Sequence, residues 1–307
     1  MKYEALSSNG TTPMSYYGRP VIKAPTWRWY VGAYLFVGGL AGASAPLALA
    51  ARLQKNEALA RTALGAAFAG VALSPMLLVA DLGDKKRFIN MLRVFKVTSP
   101  MSVGSWILTV FGTAVGAAAM SEFTGVAKPV GRTAEVVAAL IGPALATYTA
   151  ALIADTAVPA WHDALGELPF VFAGGALASA ASCALVVTPV ADARLARRLL
   201  VLGALVEFSM LEQMKKTLGP LVGEPYQMGR AAFFKNAART TTIASVALVL
   251  AARTNRTAAR ISGILGMVGA CCERFSIFEA GKASARDPKY TVEPQRERRA
   301  LRESPAT

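Results

Sequence analysis

The chain has 307 residues, of which 54 % are hydrophobic and only 17 % charged, whereas a soluble domain carries about a quarter charged residues. Its polar residues cluster and its apolar residues run together, which sets aside a soluble globular enzyme and fits a multi-span membrane protein. The net charge of +14 falls in loops and tails, so it reads as a positive-inside bias and a protein-docking face, with no nucleic acid implied.

In chain order, residues 1–28 form a polar N-terminal segment with Pro13, Pro20 and Pro25. It has no apolar stretch of the kind a secretory signal needs, so the first apolar run is expected to stay as a membrane helix. Eight apolar runs follow, at about 29–51, 59–80, 101–120, 134–155, 168–188, 195–214, 236–252 and 258–280. Each approaches the roughly 20 residues a span requires, and each must be helical because irregular backbone cannot face lipid. The run at 195–214 carries Glu207 and Glu212, and the run at 236–252 is the shortest. Gly38 with Gly42, and Gly112 with Gly116, are spaced for close packing between helices inside one bundle. The predicted fold is an all-α integral membrane protein with eight transmembrane helices in a bundle (29–280) and a basic polar tail (281–307) that is expected to be extended or disordered unless a partner orders it. No internal repeat is visible.

Eight spans put both termini on one side, side A, together with the loops at 81–100, 156–167 and 215–235. Side A then holds 20 Lys and Arg and side B holds 11, with seven of the side-A residues in the tail. The bias puts side A in the cytoplasm, across the cell membrane.

Ionisable groups inside a span are expensive and mark function. Most fall near side A: Tyr30 and Tyr34 in the first run, Asp81 closing the second, Ser102 and Ser105 opening the third, Tyr148 and Asp155 ending the fourth. Glu207 and Arg274 each lie about 10 Å below the side-A surface at 1.5 Å per residue, close enough to form a buried ion pair or a proton relay. The side-B half offers little beyond Ser44, Thr62, Ser74 and Glu122. A blind pocket near side A is therefore expected, not a path through both faces as a secondary transporter would need.

Intrinsic metal centres are not expected. The single histidine, His162, cannot supply the paired ligands of a membrane haem. Cys183, Cys271 and Cys272 have no iron–sulfur spacing and read as inert thiols. His162 sits in the loop DTAVPAWHDALGELPF beside Asp163 and reads as a proton-shuttle candidate.

The motifs WRWYVGAYLFVGGLAGAS (27–44), DLGDKKRF (81–88) and TSPMSVGSWIL (98–108) resemble, in that order, those of the NrfD / polysulfide reductase membrane-subunit family. YTAALIADTAVPAWHDALGELPFVF (148–172) and ERFSIFEAG (273–281) resemble its later segments. The resemblance implies a metal-free subunit that binds menaquinone or ubiquinone near the face where a ferredoxin-like iron–sulfur subunit docks. Through that partner it would exchange electrons with a catalytic oxidoreductase subunit, often a molybdenum enzyme. Tyr148 is then the expected head-group ligand, and Tyr34, Trp29 and Trp106 would wall the slot. Asp81 would accept a quinol proton or hold Arg87, with Asp155, His162, Glu207 and Arg274 as proton-relay candidates. Lys85, Lys86, Arg87, Arg93 and Lys96 would form the docking floor. The alternatives are a secondary transporter or a proton-translocating membrane subunit.

Overall fold

The computed structural model describes residues 20–251 and 254–303, which are helical with no strand among them. In chain order the helices are α1 (Trp29–Leu53), α2 (Glu57–Asp81), α3 (Pro100–Thr124), α4 (Lys128–Ala154), the single turn α5 (Pro159–His162), α6 (Leu168–Val187), α7 (Arg194–Val222), α8 (Gly229–Ala251), α9 (Arg256–Arg286) and α10 (Lys289–Glu303). Short 3-10 segments cover Lys85–Leu92 and Glu224–Gln227.

Side-chain chemistry sets several of the boundaries. Asn56, Ser99 and Asn255 each accept a hydrogen bond from the backbone N–H three residues on, at the starts of α2, α3 and α9, which satisfies a donor that the first helical turn leaves orphaned. Pro100 directly after Ser99 costs nothing at the first helical position. Gly125 closes α3 in the left-handed region at φ 76°. Near the end of α7, Gly219 adopts φ 65° ahead of Pro220 and kinks the chain.

Six helices, α1, α2, α3, α4, α6 and α9, are long and apolar enough to cross a membrane. Helices α7 and α8 coincide with the two weakest apolar runs. Their polarity comes from Arg197, Arg198, Glu207 and Glu212 on α7, and from Lys235, Arg239 and the threonines 240–242 on α8. Large apolar side chains such as Met76, Leu140 and Phe233 stand about two-thirds or more exposed on the outer surface, as expected for a bundle bathed in lipid and not in water.

The helices pack as two groups of four with one neighbour order. Helix α1 packs on α2 and α4, and α3 on α4; likewise α6 packs on α7 and α9, and α8 on α9. The groups meet mainly through α1 and α4 against α6. Among the adjacent pairs of each group the two outer helices touch least, α2 with α3 and, still less, α7 with α8. This correspondence is invisible in the sequence, since it lives in neighbour order and not in residue identity.

Glycine permits the tightest approaches. A Cβ on Gly42 would lie 2.5 Å from the Gly142 carbonyl oxygen across α1 and α4, and one on Gly203 would lie 2.6 Å from the Ala178 nitrogen across α7 and α6. Gly42 thus packs inside the bundle as its spacing predicts, while Gly116 meets nothing within 4 Å.

Two regions differ from expectation. The tail is not extended: α9 continues to Arg286 and α10 follows. It is tied down by Lys289 Nζ, 2.6 Å from Glu224 Oε2, and by Tyr290, whose hydroxyl donates to the same oxygen at 3.1 Å. A partner within the chain supplies the ordering contact. The side-B end is also richer in charge than expected. Arg52 reaches Glu57 (2.6 Å), Glu122 (3.0 Å) and Glu135 (2.8 Å), and Arg61 reaches Glu122 (2.7 Å). These residues sit at helix ends beside the apolar runs, where the sequence alone makes them look like loop residues.

Candidate functional site

A cavity of about 450 Å³ opens between the C-terminal half of α2 and the N-terminal half of α3, under the 3-10 segment and against the end of α4. Val71, Pro75 and Leu78 of α2, Met101 and Leu108 of α3, and Leu152 of α4 form its apolar walls. Tyr34, Tyr148 and Asp81 supply polar groups to it, with Ser105, Thr109 and Thr113 along α3. The volume lies within the ~300–1,000 Å³ of ordinary ligand pockets, and apolar walls with few polar groups are their usual make-up.

The fold brings the two tyrosines together. The hydroxyls of Tyr34, fully buried on α1, and Tyr148 on α4 hydrogen-bond to each other. Gly104 on α3 makes room for the Tyr148 ring, because a Cβ there would overlap the ring atoms. At the rim, Asp81 Oδ1 accepts the backbone N–H of Arg28 at 2.9 Å, which pins the segment before α1 to the end of α2. Thr26 and Trp27 of that segment line the opening. Trp27 also stacks on the buried Trp161 at 5.8 Å, which stacks in turn on Phe278 at 6.2 Å, and Trp161 Nε1 donates to the Ile277 carbonyl at 2.7 Å. The aromatic column thus anchors one lip of the cavity to α9.

Ser102 ties down the segment joining α2 to α3. Ser102 Oγ donates to the Val94 carbonyl and accepts the Lys96 N–H, both at 3.0 Å. This holds up a surface on which Lys85, Arg93 and Lys96 are exposed beside Val94, Phe95 and Val97, themselves more than half exposed. The side chains of Lys86 and Arg87 lie outside the described residues.

The other expected site residues stand elsewhere. Trp29 is 57 % exposed against Tyr30. Trp106 meets Phe95 edge-on at 6.2 Å and does not line the cavity. It follows Ser105, which faces in, and successive helical residues point about 100° apart. Asp155 and His162 lie at the surface beyond α4, with His162 Nδ1 3.1 Å from the Ala154 carbonyl oxygen.

Glu207 and Arg274 are both buried in the second helix group but are not ion-paired. Arg274 Nη2 donates to the Phe172 carbonyl at 2.7 Å, and its guanidinium lies 3.7 Å over the Phe172 ring. Both side chains converge on Gly175, where an added Cβ would lie 2.5 Å from Glu207 Oε1 and 3.1 Å from Arg274 Nη2. Glu207 Oε1 and Arg274 Nη1 have no hydrogen-bond partner.

Outside the spans, hydrogen bonds from Lys289 and Tyr290 hold the Glu224 carboxyl below its ordinary range, and Glu224 raises Lys289 in turn. Burial pushes the Tyr226 phenol up, and its hydroxyl donates to the Ala160 carbonyl at 3.0 Å.

The sequence reading missed Gly104, Thr26 and Trp27. Gly104 lies inside the Ser-Pro-Met-Ser-x-Gly stretch, so its signal was present. Trp27 needed the fold to bring it over the cavity.

No curated protein matches the chain. A family model described as "Polysulphide reductase, NrfD" matches residues 21–285, which span every element from the Trp27 lip to the end of α9. That segment holds the cavity, the ordered basic loop and both four-helix groups, and on this match the chain belongs to the polysulphide reductase NrfD family of multi-pass membrane proteins.

Proposed function

We propose that the chain is the eight-span, quinone-binding membrane subunit of a multi-subunit oxidoreductase. In this reading α7 and α8 also cross the bilayer, and both termini face the cytoplasm. A menaquinone or ubiquinone enters between α2 and α3 and lays its ring against the apolar walls. A ferredoxin-like iron–sulfur subunit docks on the loop before α3 and links the site to a catalytic subunit of the molybdenum kind.

The observation that carries this reading is the cavity itself. An apolar slot ends on two hydrogen-bonded phenols, carries a carboxylate at its rim, and lies beneath a basic surface. A quinone takes two electrons and two protons on becoming a quinol. Tyr148, with Tyr34 donating to its hydroxyl oxygen, can donate its own O–H to a carbonyl oxygen, which favours the negative charge that develops on reduction. Asp81, at the rim, can pass a proton between that oxygen and the surface. Val94, Phe95 and Val97 offer an apolar centre ringed by Lys85, Arg93 and Lys96, the anatomy of a protein–protein contact with an acidic partner.

Isolation in mild detergent with iron and molybdenum assayed in the eluate tests the assembly. Co-purification of an iron–sulfur protein is the expected result, and a metal-free chain from intact membranes would contradict it. In the isolated complex, Tyr148→Phe is expected to lower quinone-coupled turnover while leaving turnover with an artificial electron carrier unchanged.

A further inference from the structure

A second cavity, of about 410 Å³, lies between the C-terminal end of α7 and the N-terminal half of α8. It holds the same place in its helix group that the first cavity holds between α2 and α3. Its chemistry differs. Lys215 of α7 and Lys235 and Arg239 of α8 line it, with Phe208, Leu211 and Ile243 as apolar wall. Glu273 forms its floor, only 5 % exposed, and Glu212 lies at its edge.

The cations lie where the apolar stretches of the two helices end. The apolar stretch of α7 ends at Leu211, just before Glu212 and Lys215, and that of α8 begins only after Arg239. If both helices span, these ends mark the boundary between hydrocarbon and headgroups. Among the described residues none of the three cations is paired with a carboxylate; Lys235 Nζ donates to Gln227 Oε1 at 3.1 Å. Unpaired cations at a membrane boundary call for an anion. The apolar residues below the cations suit an acyl chain.

We propose that this cleft binds an anionic glycerophospholipid, with its phosphodiester on Lys235, Arg239 and Lys215 and a chain against Phe208 and Ile243. The lipid fills the gap where α7 and α8 scarcely touch. The proposal rests on α7 and α8 as spans and is independent of the quinone reading.

The test uses the full chain, in its complex, stripped of lipid in detergent. Phosphatidylglycerol, phosphatidylcholine with the same chains, and soluble glycerol 3-phosphate are added separately, and binding is read by native mass spectrometry. Retention of phosphatidylglycerol alone is expected. It should fall roughly thirtyfold in K235Q/R239Q, at two surface charges removed, and persist in K235R/R239K. Lys215→Gln, at an exposed position, should give a smaller loss and serves if the double variant fails to fold. Equal retention of phosphatidylcholine would overturn the proposal. So would equal binding of glycerol 3-phosphate, displacement of the lipid by a quinone, or a folded K235Q/R239Q that holds phosphatidylglycerol as well as the parent. Quinone-coupled turnover should survive in K235Q/R239Q, so failure here and failure of the quinone reading are distinguishable.

Discussion

The hydroxyls of Tyr34 and Tyr148, 114 residues apart in sequence, hydrogen-bond to each other at the inner end of the first cavity. The pair joins α1 to α4 and, with one O–H spent between them, leaves one hydroxyl proton for whatever fills the slot. Removing one hydroxyl strands the other in a buried setting, at about 1–3 kcal/mol, whereas removing both can be nearly neutral. Tyr34→Phe alone is therefore expected to lower the unfolding temperature more than Tyr34→Phe with Tyr148→Phe, measured by differential scanning fluorimetry in detergent. Both single variants should weaken binding of a quinone-site inhibitor.

Gly104 gives a second prediction. Any side chain at this position meets the Tyr148 ring. Gly104→Ala should displace that ring and cost about 1–3 kcal/mol, the usual range for overpacking. Inhibitor affinity should fall while far-ultraviolet circular dichroism keeps its helical signature. Unchanged affinity would separate Tyr148 from the site.

Ser102 holds the loop before α3 through Val94 and Lys96. Ser102→Ala removes both contacts and leaves the cavity walls intact. Association with the electron-carrying partner should weaken several-fold in a pull-down, with inhibitor binding unchanged. Loss of inhibitor binding instead would make the loop part of the quinone site.

Most spans were legible as apolar runs, because a bilayer demands about 20 such residues whatever their identity. The caps were legible too: Ser99–Pro100 states where α3 starts before any packing is known. Tyr148, Tyr34 and Asp81 do share a cavity, and each stood out as a polar group at a span's side-A end. What failed was direction around a helix. Trp106 and Ser105 are adjacent in sequence but face different neighbours, and only packing decides which one faces the slot. Long-range partners were equally hidden. Nothing in the tail says that Lys289 and Tyr290 meet Glu224, or at the other face that Arg52 gathers Glu57, Glu122 and Glu135. Glu207 and Arg274 converge on Gly175, yet the arginine turns to the Phe172 carbonyl, a partner no side-chain inventory contains.

The tail contact carries a pH dependence. Glu224 has a lowered pKa in the folded chain, so its contribution to docking is present above its unfolded value and lost as pH falls through the folded value. Lys289 has a raised pKa, so its contribution is complete below its unfolded value and lost as pH rises through the folded one. Docking of α10 should therefore be strongest between the two and loosen in acid below the ordinary carboxylate range. Limited proteolysis across 287–296 as a function of pH reads this out. Glu224→Gln should give the acid-like cleavage pattern at neutral pH.

The most direct measurement is photolabelling of the complex in native membranes with an azido-quinone, followed by peptide mapping. The account predicts labelling of the cavity between α2 and α3, at Met91, Met101, Tyr148 or Leu152, competed by excess unlabelled quinone and diminished in Tyr148→Phe. Competable labelling confined to the α7–α8 cleft, or none on this chain, would contradict it.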